Sequence, residues 1–121
     1  MDANGVINNW EECLNNYDLE GIVELYSSNA VLWGTFSKVI RDSSELISEY
    51  FQNLFEKKEL SVNFSSKASR SYENTTIFSG TYEFSYMEDE LVIHYARFTF
   101  AVCKEDSGCF KIAEHHSSII P

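Results

Sequence analysis

The apolar pattern of this chain changes period once, and that change limits what it can fold into. Before about residue 58 apolar side chains recur at three and four residues; from Glu59 onward they alternate. Three-and-four spacing lines up one face of a helix, whereas alternation lines up one face of a strand. Val6, Ile7, Trp10, Leu14 and Tyr17 form the first helical stripe. Asp18 is placed to cap a second, short helix with Ile22, Val23, Leu25 and Tyr26 as its buried face and Asn29 as its end. The apolar run from Ala30 to Trp33, followed by Gly34, suits a short buried strand. A third helix begins at Asp42 or Ser43, has Glu45 in its first turn, and buries Leu46, Ile47, Tyr50, Phe51, Leu54 and Phe55.

The second part reads as long strands. Leu60, Val62 and Phe64 alternate with polar residues, as do Phe78, Tyr82, Phe84 and Tyr86. Val92, His94, Ala96, Phe98, Phe100 and Val102 follow, and a last strand runs from about Cys109 to Ile119. Turns fall at Glu73-Asn74, Glu88-Asp89-Glu90 and Glu105-Asp106-Ser107-Gly108. No proline- or glycine-rich linker and no repeat interrupts the chain, so one domain is expected over residues 1–121. The expected class is α+β, with N-terminal helices packed on a strongly curved antiparallel sheet.

Register decides which chemistry meets. The simplest pairing of the last two strands sets Cys103 opposite Cys109 and Phe98 opposite Glu114. It then sets Ala96 opposite His116 and His94 opposite Ser118. The concave face thus gains a polar end made of His94, Glu114, His116 and Ser118. The other face receives Ile93, Tyr95, Arg97, Thr99, Ala113 and His115, too apolar for a plain water-facing side. Burial against another subunit is the expectation for that face. A single bulge would exchange the faces from that point on.

Charge and cysteines narrow the partners. Nineteen acids against nine bases give a net charge of −10, which repels phosphate backbones and anionic membranes, so neither nucleic acid nor membrane is an expected partner. Cys13, Cys103 and Cys109 have no zinc spacing, and the first residues lack the basic and apolar stretches of a signal peptide. A cytoplasmic protein with reduced thiols is expected.

Several strings carry a family resemblance: Leu25 to Trp33, Glu49-Tyr50-Phe51, Gly80 to Phe84, Ala96 to Phe100, and Gly108 to Pro121 with its His115-His116-Ser117-Ser118. In this order they resemble the association domain of calcium/calmodulin-dependent protein kinase II and its stand-alone bacterial relatives. That family lies in the nuclear transport factor 2-like (cystatin-like) superfamily, beside SnoaL-like cyclases and ketosteroid isomerases. The resemblance covers nearly the whole chain. It implies a cone in which three helices cover a bent sheet around a pocket, assembled through the outer sheet face as a homodimer or larger homo-oligomer. The association domain of the kinase carries an arginine where Ser117 stands, and this chain has only Arg41, Arg70 and Arg97. No kinase motif occurs, and calmodulin is not implied.

Two functions follow. One is a small association domain that holds an unidentified small molecule in the cone, lined by Tyr26, Trp33, Tyr50, His94, Glu114, His116 and Ser118. The other is a SnoaL-like or isomerase-like enzyme using Glu114, His116 or His94 as acid and base, with Tyr26 or Tyr82 as an oxyanion donor. The histidines and glutamate match no recognised ligand spacing, so no metal is expected, and no cofactor either. Arg97, beside Tyr95 and His115, is read as an anion ligand or as an interface residue.

Overall fold

The computed structural model describes residues 1–121. Its elements run α1 (Ala3–Asn15), α2 (Leu19–Glu24), β1 (Tyr26–Trp33), α3 (Ser44–Leu54), β2 (Lys58–Tyr72), β3 (Thr75–Met87), β4 (Leu91–Lys104) and β5 (Phe110–Ile119). Each helix starts where a side chain satisfies a free backbone N–H. Asp2 accepts from Gly5 N at 2.9 Å, Asp18 from Gly21 N at 2.9 Å, and Ser43 from Leu46 N at 3.2 Å. The second helix ends at Glu24, well before Asn29, and its expected face residue Tyr26 opens strand β1. Tyr17 lies beyond α1, where its hydroxyl joins Lys57 O (2.6 Å) to Leu60 N (2.7 Å) and ties α1 to the start of β2.

The sheet order is β1-β5-β4-β3-β2. Strands β2 to β5 form the expected antiparallel meander, but β1 joins β5 in parallel, so the sheet is mixed. Its inner face carries Phe78, Tyr82, Phe84, Phe98, Phe100 and Ile112, all buried. The helices close over that face. Trp10 of α1 lies flat on Tyr82 (centroids 5.7 Å apart) and edge-on to Phe100 (5.3 Å). From α3, Ile47, Tyr50, Phe51 and Leu54 are buried.

Two glycines allow close approaches that a side chain would block. A Cβ on Gly34 would fall 2.2 Å from the Tyr50 ring, and one on Gly80 would fall 2.1 Å from Ser66 O. The Gly80 approach sits beside a β2 bulge between Phe64 and Ser66, so the β2–β3 hairpin is creased there.

Register departs from the simplest pairing in two steps: the β4–β5 hairpin is offset by two residues, which keeps the faces, and one extra residue then enters β5. Val102 pairs with Ile112, but Ala101 pairs with Glu114, leaving Ala113 as an extra residue in β5. From there Phe100 meets His115, Thr99 meets His116, Phe98 meets Ser117 and Arg97 meets Ser118. Side chains alternate with period two, so one inserted residue sends every later side chain to the opposite face. On the hairpin side of the bulge, the two-residue offset sets Cys103 opposite Lys111 and not Cys109.

Candidate functional site

The bulge at Ala113 redistributes the expected site. Glu114 and His116 are exposed on the outer face, not in the cone. Ser118 also lies outside, accepting a hydrogen bond from Arg97 Nε at 3.1 Å. Trp33, paired with His116, is 41% exposed and does not line the interior. His115, expected outside, is buried within, as is Ser117. Tyr26 and Tyr50 do face the interior. His94 sits at the rim, 2.9 Å from Tyr86 Oη and edge-on to Phe36. Sequence reasoning missed Ser117 and Thr35, because their part in the interior depends on the bulge.

Inside the cone these residues build a directed hydrogen-bond chain. Indole N–H can only donate, so Trp10 Nε1–H donates to Tyr26 Oη at 3.0 Å. The Tyr26 proton then points to His115 Nδ1, 2.8 Å away. A neutral imidazole with Nδ1 accepting must donate from Nε2, here to Tyr82 Oη at 3.2 Å. Tyr82 donates to Ser117 Oγ at 2.6 Å, and Ser117 meets Thr35 Oγ1, which is partly exposed. Every member from Tyr26 to Tyr82 both accepts and donates, and no buried side-chain polar atom of the fold lacks a partner.

Burial sets the electrostatics of the chain. It pushes the His115 pKa down to about 3, with charge on His116 acting in the same direction, and His115 lies stacked on Phe100 at 3.8 Å. Burial likewise raises Tyr26 and Tyr82 above the ordinary phenol value. It pushes Tyr50 up to about 12, against hydrogen bonds at Phe36 and Thr35 and the Arg41 charge. His115 is thus a neutral structural imidazole with both nitrogens engaged. It has no free edge for a substrate and no readily gained proton.

The outer face is different. The pairings place Ala68, Ser79, Thr99, His116 and Trp33 in one row across all five strands. On one side of it run Arg70, Ile77 and Ala101; on the other run Thr81, Arg97 and Ser118. A cavity of about 650 Å³ opens here beside the crease of the β2–β3 hairpin. Beyond it lie exposed apolar side chains: Ile93 (42% exposed), Tyr95 (57%) and Ile120 (40%), with Ile120 N bonded to Tyr95 O. Arg97 and Thr99 share this face, whereas Ala113 sits in the bulge. No group of histidine, cysteine and acidic side chains is arranged to hold a metal. No helix is long and apolar enough to cross a membrane.

Comparison with known proteins agrees with this geometry. A solved structure from Xanthomonas campestris, described as a calcium/calmodulin dependent protein kinase II association domain, is 26% identical, with a TM-score of 0.88 over 98% of this chain and 85% of that one. A protein of the NTF2-like family from Streptomyces avermitilis, described as a dehydratase, has a TM-score of 0.86 at 12% identity, covering 98% of this chain and 93% of its own. A ketosteroid isomerase-like protein from Erwinia carotovora atroseptica gives 0.80 at 12% identity, covering the same shares. These last two show the fold, an α+β cone of the NTF2-like kind, and nothing of the activity. No curated protein matches the sequence. The model of the calcium/calmodulin dependent protein kinase II association domain family matches residues 2–121, and the chain belongs to that family.

Proposed function

We propose that this chain is an association module that pairs with copies of itself through the outer face of β4 and β5. The observation carrying this reading is the apolar character of a face that water would otherwise cover. Ile93, Tyr95 and Ile120 stand exposed together, and Trp33 adds a fourth large side chain at the β1 edge. Self-association removes such a patch from water at a gain of roughly 25 cal/mol per Å² of apolar surface. A symmetric pair would use the same patch on both copies. The family, named for association, supports the same reading.

The reading as a small acid–base enzyme draws less support. Glu114 and His116 lie outside the cone, and His115, which replaces them inside, is saturated with hydrogen bonds. Holding a small molecule within the cone is likewise weakly supported, because the polar groups around His115 satisfy one another. Native mass spectrometry at micromolar concentration tests the proposal. The wild type is expected as a dimer or larger ring, and Tyr95→Glu as a monomer with an unchanged circular dichroism spectrum. A monomeric wild type at tens of micromolar would sink it.

A further inference from the structure

We infer that the open rim of the cone is a site for the methylated ammonium group of a small molecule, which competes there with the side chain of Lys57. Three rings meet at this rim. Phe36, from the segment between β1 and α3, crosses Tyr86 at 76° with centroids 6.5 Å apart, and His94 at 73° and 5.3 Å. Tyr86 and His94 lie 5.6 Å apart, held by the bond between Tyr86 Oη and His94 Nε2. Lys57 Nζ sits in the corner of these rings, 4.1 Å from the Tyr86 centroid and 5.2 Å from that of Phe36. Ring faces attract a cation at such distances.

The lysine fits the corner poorly. Its ammonium makes no hydrogen bond there, and the only ion pairs of the fold are Arg41–Glu49 and Lys111–Glu24. Its N–H donors thus find no protein acceptor in a chain with nineteen acids. A methylated ammonium keeps the positive charge and has few or no N–H groups to leave unmet, so it suits the corner better than Lys57 does. The lysine also has somewhere to go. A groove of about 490 Å³ adjoins it, lined by Lys57 and Tyr86 together with Glu56, Glu88 and Asp89. Those carboxylates can take the displaced ammonium, and they draw cations and repel anions. Lys57 O stays fixed by Tyr17 Oη at 2.6 Å, so the exchange needs only the flexible side chain to swing. The groove volume falls in the small-molecule range of roughly 300–1,000 Å³, which leaves room for the body of the ligand beyond its ammonium head.

This site is separate from the association face. Tyr86 and His94 share the inner face of the sheet with Phe84, which pairs with His94, whereas Ile93 and Tyr95 stand on the outer one. The test is saturation-transfer NMR on the methyl signal of tetramethylammonium chloride, titrated against the whole chain at constant ionic strength, with methylammonium chloride run in parallel. Saturable transfer to tetramethylammonium is expected, at least threefold tighter in Lys57→Ser, which clears the corner, and at least tenfold weaker in Phe36→Leu and in Tyr86→Leu. Methylammonium, which keeps three N–H donors, should bind at least tenfold more weakly. Absence of saturable transfer in Lys57→Ser overturns the site, as does undiminished binding in both ring variants. Equal binding in wild type and Lys57→Ser overturns the competition, and equal binding of the two ions overturns the preference for methylation. Native mass spectrometry of each sample gives the subunit count. A monomer that binds tetramethylammonium overturns only the assembly proposal, and an oligomer that does not bind it overturns only the site.

Discussion

Replacing His115 by phenylalanine should remove a specific part of the protein's acid sensitivity. The folded chain holds His115 neutral, with its pKa at about 3 against an ordinary value of 6.5, because burial penalises the imidazolium. Below pH 6.5 the unfolded chain therefore binds a proton that the folded chain refuses, and stability falls as pH falls. Its contribution is whole at neutral pH and declines continuously down to about pH 3. Between about pH 7 and about pH 5 the unfolded imidazole becomes almost fully protonated while the folded one does not. Linkage then removes about 2 kcal/mol of unfolding free energy. Phenylalanine keeps the stacking on Phe100 but leaves the Tyr26 hydroxyl without its acceptor and Tyr82 without a donor. That loss costs about 2–4 kcal/mol at neutral pH. Urea unfolding, followed by the fluorescence of buried Trp10 at one protein concentration, would measure both effects. The wild type should lose about 2 kcal/mol more than the variant between the two pH values. Comparing the two slopes cancels the other titrating groups. Equal pH dependence in the two proteins would refute the assignment of a buried, neutral His115. His115→Gln, which keeps a donor and an acceptor, supplies the comparison if the phenylalanine variant does not fold.

Other substitutions probe how the scaffold holds this interior. Gly34→Ala drives a methyl into the Tyr50 ring, and thermal unfolding should show a loss of about 1–3 kcal/mol or more. Arg41→Ala, which abandons Leu46 O and the Tyr50 ring, should cost about 1–3 kcal/mol in chemical denaturation. Glu49→Gln should cost under about 1 kcal/mol, because the Glu49 side chain is 59% exposed. Ser43→Ala removes the cap of α3 and should cost about 1 kcal/mol by the same measurement.

Periodicity carried the fold further than it carried the site. The stripe from Val6 to Leu14, the caps at Asp18 and Ser43, and the alternation through β3 and β4 are local signals, and each element forms where they point. The partner of β1 was not legible, because the run from Ala30 to Trp33 specifies burial but not which strand it pairs with, or in which direction. The site depended on the parity of β5. Alanine fits either face, so nothing in Ala113 marks it as the bulged residue, and that one residue decides whether His115 or His116 enters the cone. The cavity depends on rows that cross four strands. Arg70 joins Arg97 on that face only once the β2 bulge between Phe64 and Ser66 is placed, and His116 and Ser118 join them only through the β5 bulge at Ala113.

The association face can be examined through two tyrosines of nearly equal exposure. In the isolated chain Tyr95 is 57% exposed and Tyr72, at the tip of the β2–β3 hairpin, is 60% exposed. Hydroxyl-radical footprinting at tens of micromolar, with residue-level mass spectrometry, compares their oxidation rates inside one sample. Assembly through β4 and β5 predicts Tyr95 oxidised several-fold more slowly than Tyr72, with the two rates converging on dilution. Equal rates at every concentration would contradict the claim that this face joins one copy to another.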